Sequence, residues 1–389
     1  MTNFVFLSTA DWDHPLWTNK QHTAVSLASL GHRILYVESL GLRPPRKGRS
    51  DLPRIFKRLC HGLQWPRQVK PNIWVWSPLV IPGASTSFLK FINKLVLTTG
   101  LCLVRYFLRF RESILWSYNP LAFDFVSRSS FSSSIYHCVD RLQAQPEMPS
   151  GRIDLAEKTF CRAVEVVFTT SPELQRSLSS FNPNTFLFGN VADFNHFSRA
   201  WKSRSICPQQ LEKIPVPRLI FIGAIDAYKV DLGSLLGLAK KRPEWNIVLA
   251  GPVGEADPST DIKQLQNCSN IALVGSLSYE ELPDWLSHAD VALLPLLMND
   301  YTKNMFPMKF FEYLSAGIPV VASAIPSLMP FANAALLVEA NEHDLEKAIN
   351  LALSGHGPSQ QDRLALAYRH TYNQRTKSML NILGDCGLI

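Results

Sequence analysis

The sequence predicts an α/β protein made of two doubly wound parallel-sheet units. Three observations lead there. Short β-type apolar runs alternate with helical patterns through the first half. The alternation restarts after a polar, irregular stretch at residues 190–217. A chain of 389 residues also exceeds one ordinary core, so two domains are the default. Alternation of this kind builds parallel sheets with helices on both faces.

Each element follows in order. Residues 4–7 are an apolar first strand; no basic region precedes this short run, so it does not read as a signal peptide. Residues 22–30 read as a helix stopped by Gly31, and 33–38 as the second strand. A basic, proline-rich loop is expected over 42–71, then a strand at 72–76. A long helix of mixed basic and apolar residues runs to about Arg111. Strands at 113–118 and 134–138, a helix at 155–163, a strand at 165–169, a helix at 172–178 and a strand at 185–188 complete the half. The second half predicts strands at 218–222, 246–251, 271–274, 291–295 and 335–338. Helices are expected at 232–242, 279–287 and 344–353, and one long helix over 361–383. Residues 191–217 are read as the linker. The tryptophans Trp65, Trp74, Trp76 and Trp116 are read as packing residues.

Composition narrows the function classes. A hydrophobic share of 46% and a charged share of 18% suit a globular protein rather than a disordered one. The seven cysteines are scattered, odd in number and lack C-x-x-C spacing, which points to reduced fillers of a cytoplasmic protein and not to a metal site. Charge is uneven. Residues 43–111 hold fourteen Lys/Arg and one acid, Asp51, so that window carries +13 and the rest of the chain 7 − 13 = −6. A patch like this calls for an anionic partner. No nucleic-acid fold signature accompanies it, so nucleic acid is not expected. Its helix interleaves Phe88, Leu89, Phe91, Ile92 and Leu95 with Lys90 and Lys94, and Tyr106, Phe107 and Leu108 with Arg105 and Arg109. Only residues 95–104 are free of charge, too few to span a bilayer. An interfacial helix on an anionic membrane surface fits better.

Residues 307–323 carry the most chemistry. They read as a short helix, a glycine stop and a buried strand. Pro307 suits the first helical turn, Gly317 the left-handed position past the helix end, and Pro319 prevents continuation. Glu312 is a lone carboxylate in an apolar helix, with Lys309 three residues before it on the same face. A helix N-terminus suits a phosphate, and a carboxylate one turn on can accept hydrogen bonds from two sugar hydroxyls. Together they suggest a nucleotide-sugar site.

This segment resembles the signature of the GT-B glycosyltransferases of the group 1, or family 4, type, "P-x-K-x-x-E-Y-L-A-x-G-x-P-V-V-A". The match falls at Pro307, Lys309, Glu312, Tyr313, Leu314, Ala316, Gly317, Pro319, Val320, Val321 and Ala322. Residues 189–197 resemble the family's "N-G-V-D-x-x-x-F" hinge, 270–283 its "N-V-x-x-x-G-x-x-x-Y-x-E-L-P", and 289–296 its "x-D-V-A-L-x-P". Residues 12–22 and 31–38 are similar to the openings of a subgroup that builds cell-surface polysaccharides.

The resemblance implies a GT-B fold, two Rossmann-like domains facing across a central cleft. The domains would be an acceptor domain over 1–190, a linker over 191–217 and a nucleotide-sugar domain over 218–360. The last segment, 361–389, would pack back on the first domain. It implies transfer of a sugar from a nucleotide-diphosphate donor to a lipid-linked or polysaccharide acceptor, with retention, without cofactor or metal, at the inner face of the cell membrane. Glu312 would hold the ribose. Gly223 would let the backbone approach the pyrophosphate, with Lys229 and Lys309 as its cations. Asn304 stands eight residues before Glu312, where the family usually has Glu; its amide can still bond a sugar hydroxyl. His22, at the start of the first helix, and Asp140, after a strand's carboxyl end, are the candidates for the acceptor and for base catalysis. Asp11 and Asp13 spell D-x-D, read here as a polar turn. Two alternatives stay open: a nucleotide-sugar epimerase, and a non-catalytic protein that binds a nucleotide or glycolipid.

Overall fold

The computed structural model describes residues 1–14, 17–40, 65–81, 86–203 and 206–389. The chain divides into two compact units. One comprises residues 1–170, 174–188 and 376–389, the other residues 171–173 and 189–375.

The first unit holds an eight-stranded sheet. Its strands are β1 (Asn3–Leu7), β2 (Arg33–Val37), β3 (Arg67–Lys70), β4 (Ile73–Trp76), β5 (Ile114–Ser117), β6 (Ser133–Cys138), β7 (Val166–Thr169) and β8 (Thr185–Leu187). Their order is β3-β4-β2-β1-β5-β6-β7-β8. All neighbours are parallel except β3 and β4. Both faces are covered, which is why β1 is apolar at every core position: Phe4 and Phe6 enter one core, Val5 and Leu7 the other.

The second unit holds six strands, all parallel: β9 (Arg218–Ile222), β10 (Asn246–Ala250), β11 (Ile271–Gly275), β12 (Val291–Leu294), β13 (Val320–Ser323) and β14 (Leu336–Val338). Their order is β11-β10-β9-β12-β13-β14. The same alternation recurs, with Ile220 and Ile222 on one face and Leu219 and Phe221 on the other. The expected fold class, two parallel-sheet units, is what forms.

Several elements differ from expectation, each for a local reason. Of the loop expected over 42–71, residues 42–64 lie outside the described residues, while Arg67–Lys70 forms β3. This strand is antiparallel, bulged and mostly exposed, so it lacks the apolar alternation that announces a strand. The long helix spans Ser87–Phe107 and stops before Arg111. Arg109 adopts φ 57°, and the N–H of Phe110 donates to the Arg105 carbonyl at 2.8 Å, a left-handed termination usually given to glycine. Residues 190–217 contain three short helices, Phe194–Phe197, Arg199–Lys202 and Gln209–Glu212, and fully bury Phe197 and Leu211 in the second unit.

The helix expected over 361–383 is two, Gln360–Arg369 and Tyr372–Asp385. The break comes where the His370 carbonyl accepts from Ala192 at 3.3 Å, Thr371 bridges to Ala192, and the His370 ring stacks on Phe311 at 4.5 Å. Past the break, Met379 and Leu383 are fully buried in the first unit's core. Of the four tryptophans read as packing residues, Trp116 and Trp76 are buried, but Trp65 is exposed. No helix among the described residues is long and apolar enough to cross a membrane.

Candidate functional site

In an open parallel sheet, ligands collect at the carboxyl ends of the strands where the strand order reverses. In the second unit that reversal lies between β9 and β12. The helix Lys309–Ser315, between β12 and β13, serves this point. It is seven residues long. Gly317 ends it at φ 72°, as its position in the sequence demands. Pro307 stands ahead of the first turn rather than inside it, its carbonyl accepting from Phe310 at 3.1 Å.

Glu312 is buried, and the Lys309 ammonium lies 2.5 Å from its Oε2. The two are therefore partners of each other before any ligand arrives. Next to them, the fully buried Tyr313 sends its hydroxyl to the end of β9, where it accepts from the Ile222 N–H at 2.8 Å. That contact anchors the Glu312 helix to the residue before Gly223. Sequence reasoning placed Tyr313 in the signature and gave it no role. Its partner is 91 positions away, so only the fold reveals it.

Three strands end in glycine at this edge: Gly223 (φ 154°), Gly251 (φ 150°) and Gly275 (φ 77°). A Cβ on Gly251 would lie 2.0 Å from the Gly223 carbonyl oxygen, so bare backbone is compulsory there. Only Gly223 was singled out from sequence. The loop after it is held by Asp226, fully buried, which accepts from the N–H groups of Ala256 at 3.0 Å and Asp257 at 3.1 Å. The Lys229 ammonium lies 3.1 Å from the same carboxylate. Lys229 thus carries a structural partner three residues before it, a pairing the sequence reading did not draw. Asn304 is buried beyond the next loop; its amide donates to the Asp300 carbonyl at 2.8 Å, and its own carbonyl accepts from the Ser171 hydroxyl at 2.9 Å. The loops and the helix that follow these strands therefore carry a buried carboxylate, two ammonium groups, an amide and glycine backbone without side chains. These are the groups needed for sugar hydroxyls and phosphate oxygens.

In the first unit the strand order reverses between β1 and β5. His22 lies in the helix Asn19–Ser29 that follows β1, is buried, and meets Trp17 edge-on at 5.3 Å. The helix start is fixed by a capping box between Thr18 and Gln21. Asp140 follows β6. The charge of Asp140 reaches Lys20, two residues before His22 in the same first turn of the helix. Burial holds the Lys20 ammonium below the ordinary lysine range, and the Asp140 carboxylate offsets part of that effect. Lys20 lies 5.9 Å from the centre of the Tyr118 ring, which stacks on His137 at 4.8 Å. Lys20 was missed in the sequence because a lysine in a first helical turn reads as a solvated surface group. The Asp11–Asp13 turn is polar as expected: Asp13 pairs with Arg67, and the Trp12 N–H donates to the buried Glu38 at 2.8 Å.

Comparison with known proteins gives a family match and a likeness of fold. Residues 216–355 match the family described as "Glycosyl transferases group 1". A putative teichuronic acid biosynthesis glycosyltransferase, TuaH, of Bacillus subtilis (strain 168) is 30% identical over 107 residues, 28% of this chain. That stretch spans only 26% of the relative's length. Sucrose-phosphate synthase from Thermosynechococcus elongatus is similar in structure, with TM-score 0.67, 15% identity, and coverage of 100% of this chain and 98% of that one. HepE of Anabaena, solved in complex with UDP and glucose, gives TM-score 0.66 at 14% identity, over 99% of this chain and 100% of that one. At such identity the likeness is one of fold.

Proposed function

We propose that this chain, whose residues 216–355 are a group 1 glycosyltransferase domain within a GT-B fold, is an enzyme that transfers a sugar from a nucleotide-diphosphate donor to a lipid-linked or polysaccharide acceptor. The observation that carries the reading is Glu312, a buried carboxylate at the switch point of the second sheet, tied through Tyr313 to the Gly223 turn. Its two oxygens suit the paired hydroxyls of a ribose, and charge-assisted bonds of this kind are strong. Backbone at Gly223 approaches the diphosphate, Lys309 and Lys229 balance its charge, and the Asn304 amide meets the sugar. The departing diphosphate is stabilised by these groups, without a metal, and the anomeric configuration is retained. On the first unit Asp140 takes the acceptor's hydroxyl proton as the new glycosidic bond forms, and His22 binds the acceptor, with Lys20 beside Asp140. HepE was solved with UDP and TuaH is a putative teichuronic acid biosynthesis glycosyltransferase; they make UDP-sugars and polysaccharide intermediates the first substrates to try. The enzyme works at the inner face of the cell membrane.

A second reading, a non-catalytic binder of nucleotide or glycolipid, is favoured by one observation. Both candidate diphosphate cations already face carboxylates, Lys309 at Glu312 and Lys229 at Asp226.

Thermal melting against UDP, GDP, dTDP and ADP, with detection of nucleotide released from the matching donor, tests both. A ligand at a hundred times its dissociation constant adds about 2.7 kcal/mol, a shift of a few degrees. We expect one nucleotide to give this shift, Glu312→Ala to lose it, and the donor to turn over. A shift retained in Glu312→Ala refutes the ribose assignment. A shift with no turnover on any acceptor supports the binder.

A further inference from the structure

The basic window was expected to meet an anionic surface through its charge. Among the described residues, the cations of the helix itself have other work. Arg105 turns inward and donates to the Ser130 carbonyl at 2.5 Å and the Arg111 carbonyl at 3.3 Å. Lys94 donates to the Phe123 carbonyl at 3.4 Å. Lys90 lies 3.6 Å from Asp124, which Arg152 also reaches at 2.9 Å.

What the helix Ser87–Phe107 offers to solvent is apolar. Phe88 is 70% exposed, Phe91 63%, Tyr106 78% and Phe107 62%, with Leu95 and Leu103 exposed between them. Phe88, Phe91, Leu95, Leu103 and Tyr106 follow at steps of three, four, eight and three, whole turns of one helix face, with the exposed Thr99 in the eight-residue gap, so they form one stripe. At 1.5 Å per residue, a 21-residue helix makes that stripe about 30 Å long. The opposite face is a different set: Leu97, Leu101 and Val104 are buried in the core. The helix is therefore apolar on both sides, and packing accounts for one of them. Trp65, also exposed, meets Phe107 edge-on at 5.1 Å and prolongs the stripe. Just past this end stand the exposed Arg109 and Arg111, while Arg67 is paired with Asp13. No acidic residue lies within the helix.

We infer that this face is a bilayer-docking surface: the helix lies in the membrane plane with its aromatic and leucine side chains below the headgroups. The charge of the rim selects the occupant. Two arginines at the end of an aromatic stripe complement lipid phosphates, while a second copy of the same face would bring like charges together. The inference deepens the membrane-bound acceptor reading above and rests on it. It also alters its physics, because rings rather than ammonium groups supply most of the binding, so binding should survive salt.

The test is co-sedimentation of the full chain with vesicles of phosphatidylcholine, with and without phosphatidylglycerol, at low and high salt. We expect binding to both vesicles, tighter to the anionic one, and largely retained at high salt. The double variant Phe91→Ser/Phe107→Ser should lower partition by about a hundredfold, near tenfold for each ring withdrawn from lipid. Arg109→Gln/Arg111→Gln should remove only the anionic preference. Quenching of tryptophan fluorescence in the unaltered protein by brominated lipids, lost in Trp65→Phe, supplies evidence that depends on no serine variant. Both multiple variants should keep the nucleotide-induced melting shift, which separates a failure here from a failure of the sugar-transfer reading. No sedimentation with either vesicle would overturn the inference. So would full binding by the double serine variant, binding abolished by salt, or a dimer in solution that the serine substitutions dissociate.

Discussion

Replacing Tyr313 by phenylalanine removes one buried oxygen and leaves the ring. Among the described residues, β12 pairs with β9 only at Leu219 and Ile220. Two residues on, the strands have parted, and the Tyr313 hydroxyl takes the Ile222 N–H at 2.8 Å in place of a strand carbonyl. In Tyr313→Phe that donor is stranded at a fully buried site. A buried unsatisfied N–H costs about 1–3 kcal/mol. For a body of this size each kcal/mol moves the melting midpoint by about 2–4 °C, so the transition of the second unit should fall by between about 2 and 12 °C. The same loss frees the Glu312 helix from the Gly223 turn, so nucleotide affinity should fall as well. Calorimetry of the parent and variant, alone and with the nucleotide that shifts the parent, measures both effects. A midpoint unchanged to within about a degree, with the same nucleotide response, would refute the role given to this hydrogen bond.

Two further predictions concern the same edges. Gly251→Ala drives a Cβ to within 2.0 Å of the Gly223 carbonyl oxygen, whereas at Gly275 nothing lies within 4 Å. Gly251→Ala should therefore destabilise by several kcal/mol or fail to fold, and Gly275→Ala should cost only about 1–2 kcal/mol for its left-handed backbone; equal effects in denaturant melts would contradict the close approach. In the first unit, burial depresses the Lys20 pKa below its unfolded value of 10.5. The folded state then binds this proton less readily than the unfolded chain. The resulting penalty is full below the folded pKa and fades as pH rises from there to 10.5. Lys20→Met should accordingly melt higher than the parent near neutral pH, with the gap narrowing in alkaline buffer, while acceptor turnover falls. A lower melting point throughout would show that the ammonium stabilises the fold.

Much of this protein is legible without coordinates because the signals are local. Apart from the exposed β3, the strands of both sheets show as apolar runs, since burial on two faces leaves no room for polar alternation. Gly317 is forced by the chain reversal between helix and strand, and its φ of 72° follows. Pro307, Lys309, Glu312 and Asn304 fall close together because one segment carries them. What the sequence could not decide depends on residues far apart. Lys20 reads as a surface lysine until β6 brings Asp140 near it. Tyr313 gains its purpose from a strand end 91 positions away. The last helix breaks because Ala192 takes the His370 carbonyl. The helix Ser87–Phe107 makes the division sharpest. Its composition announces two apolar faces and a scatter of cations, but only the packing determines that Leu97, Leu101 and Val104 meet the core while Phe91, Tyr106 and Phe107 meet solvent. Hydrophobicity states how much a side chain gains by leaving water; the tertiary structure alone states which side chains have somewhere to go.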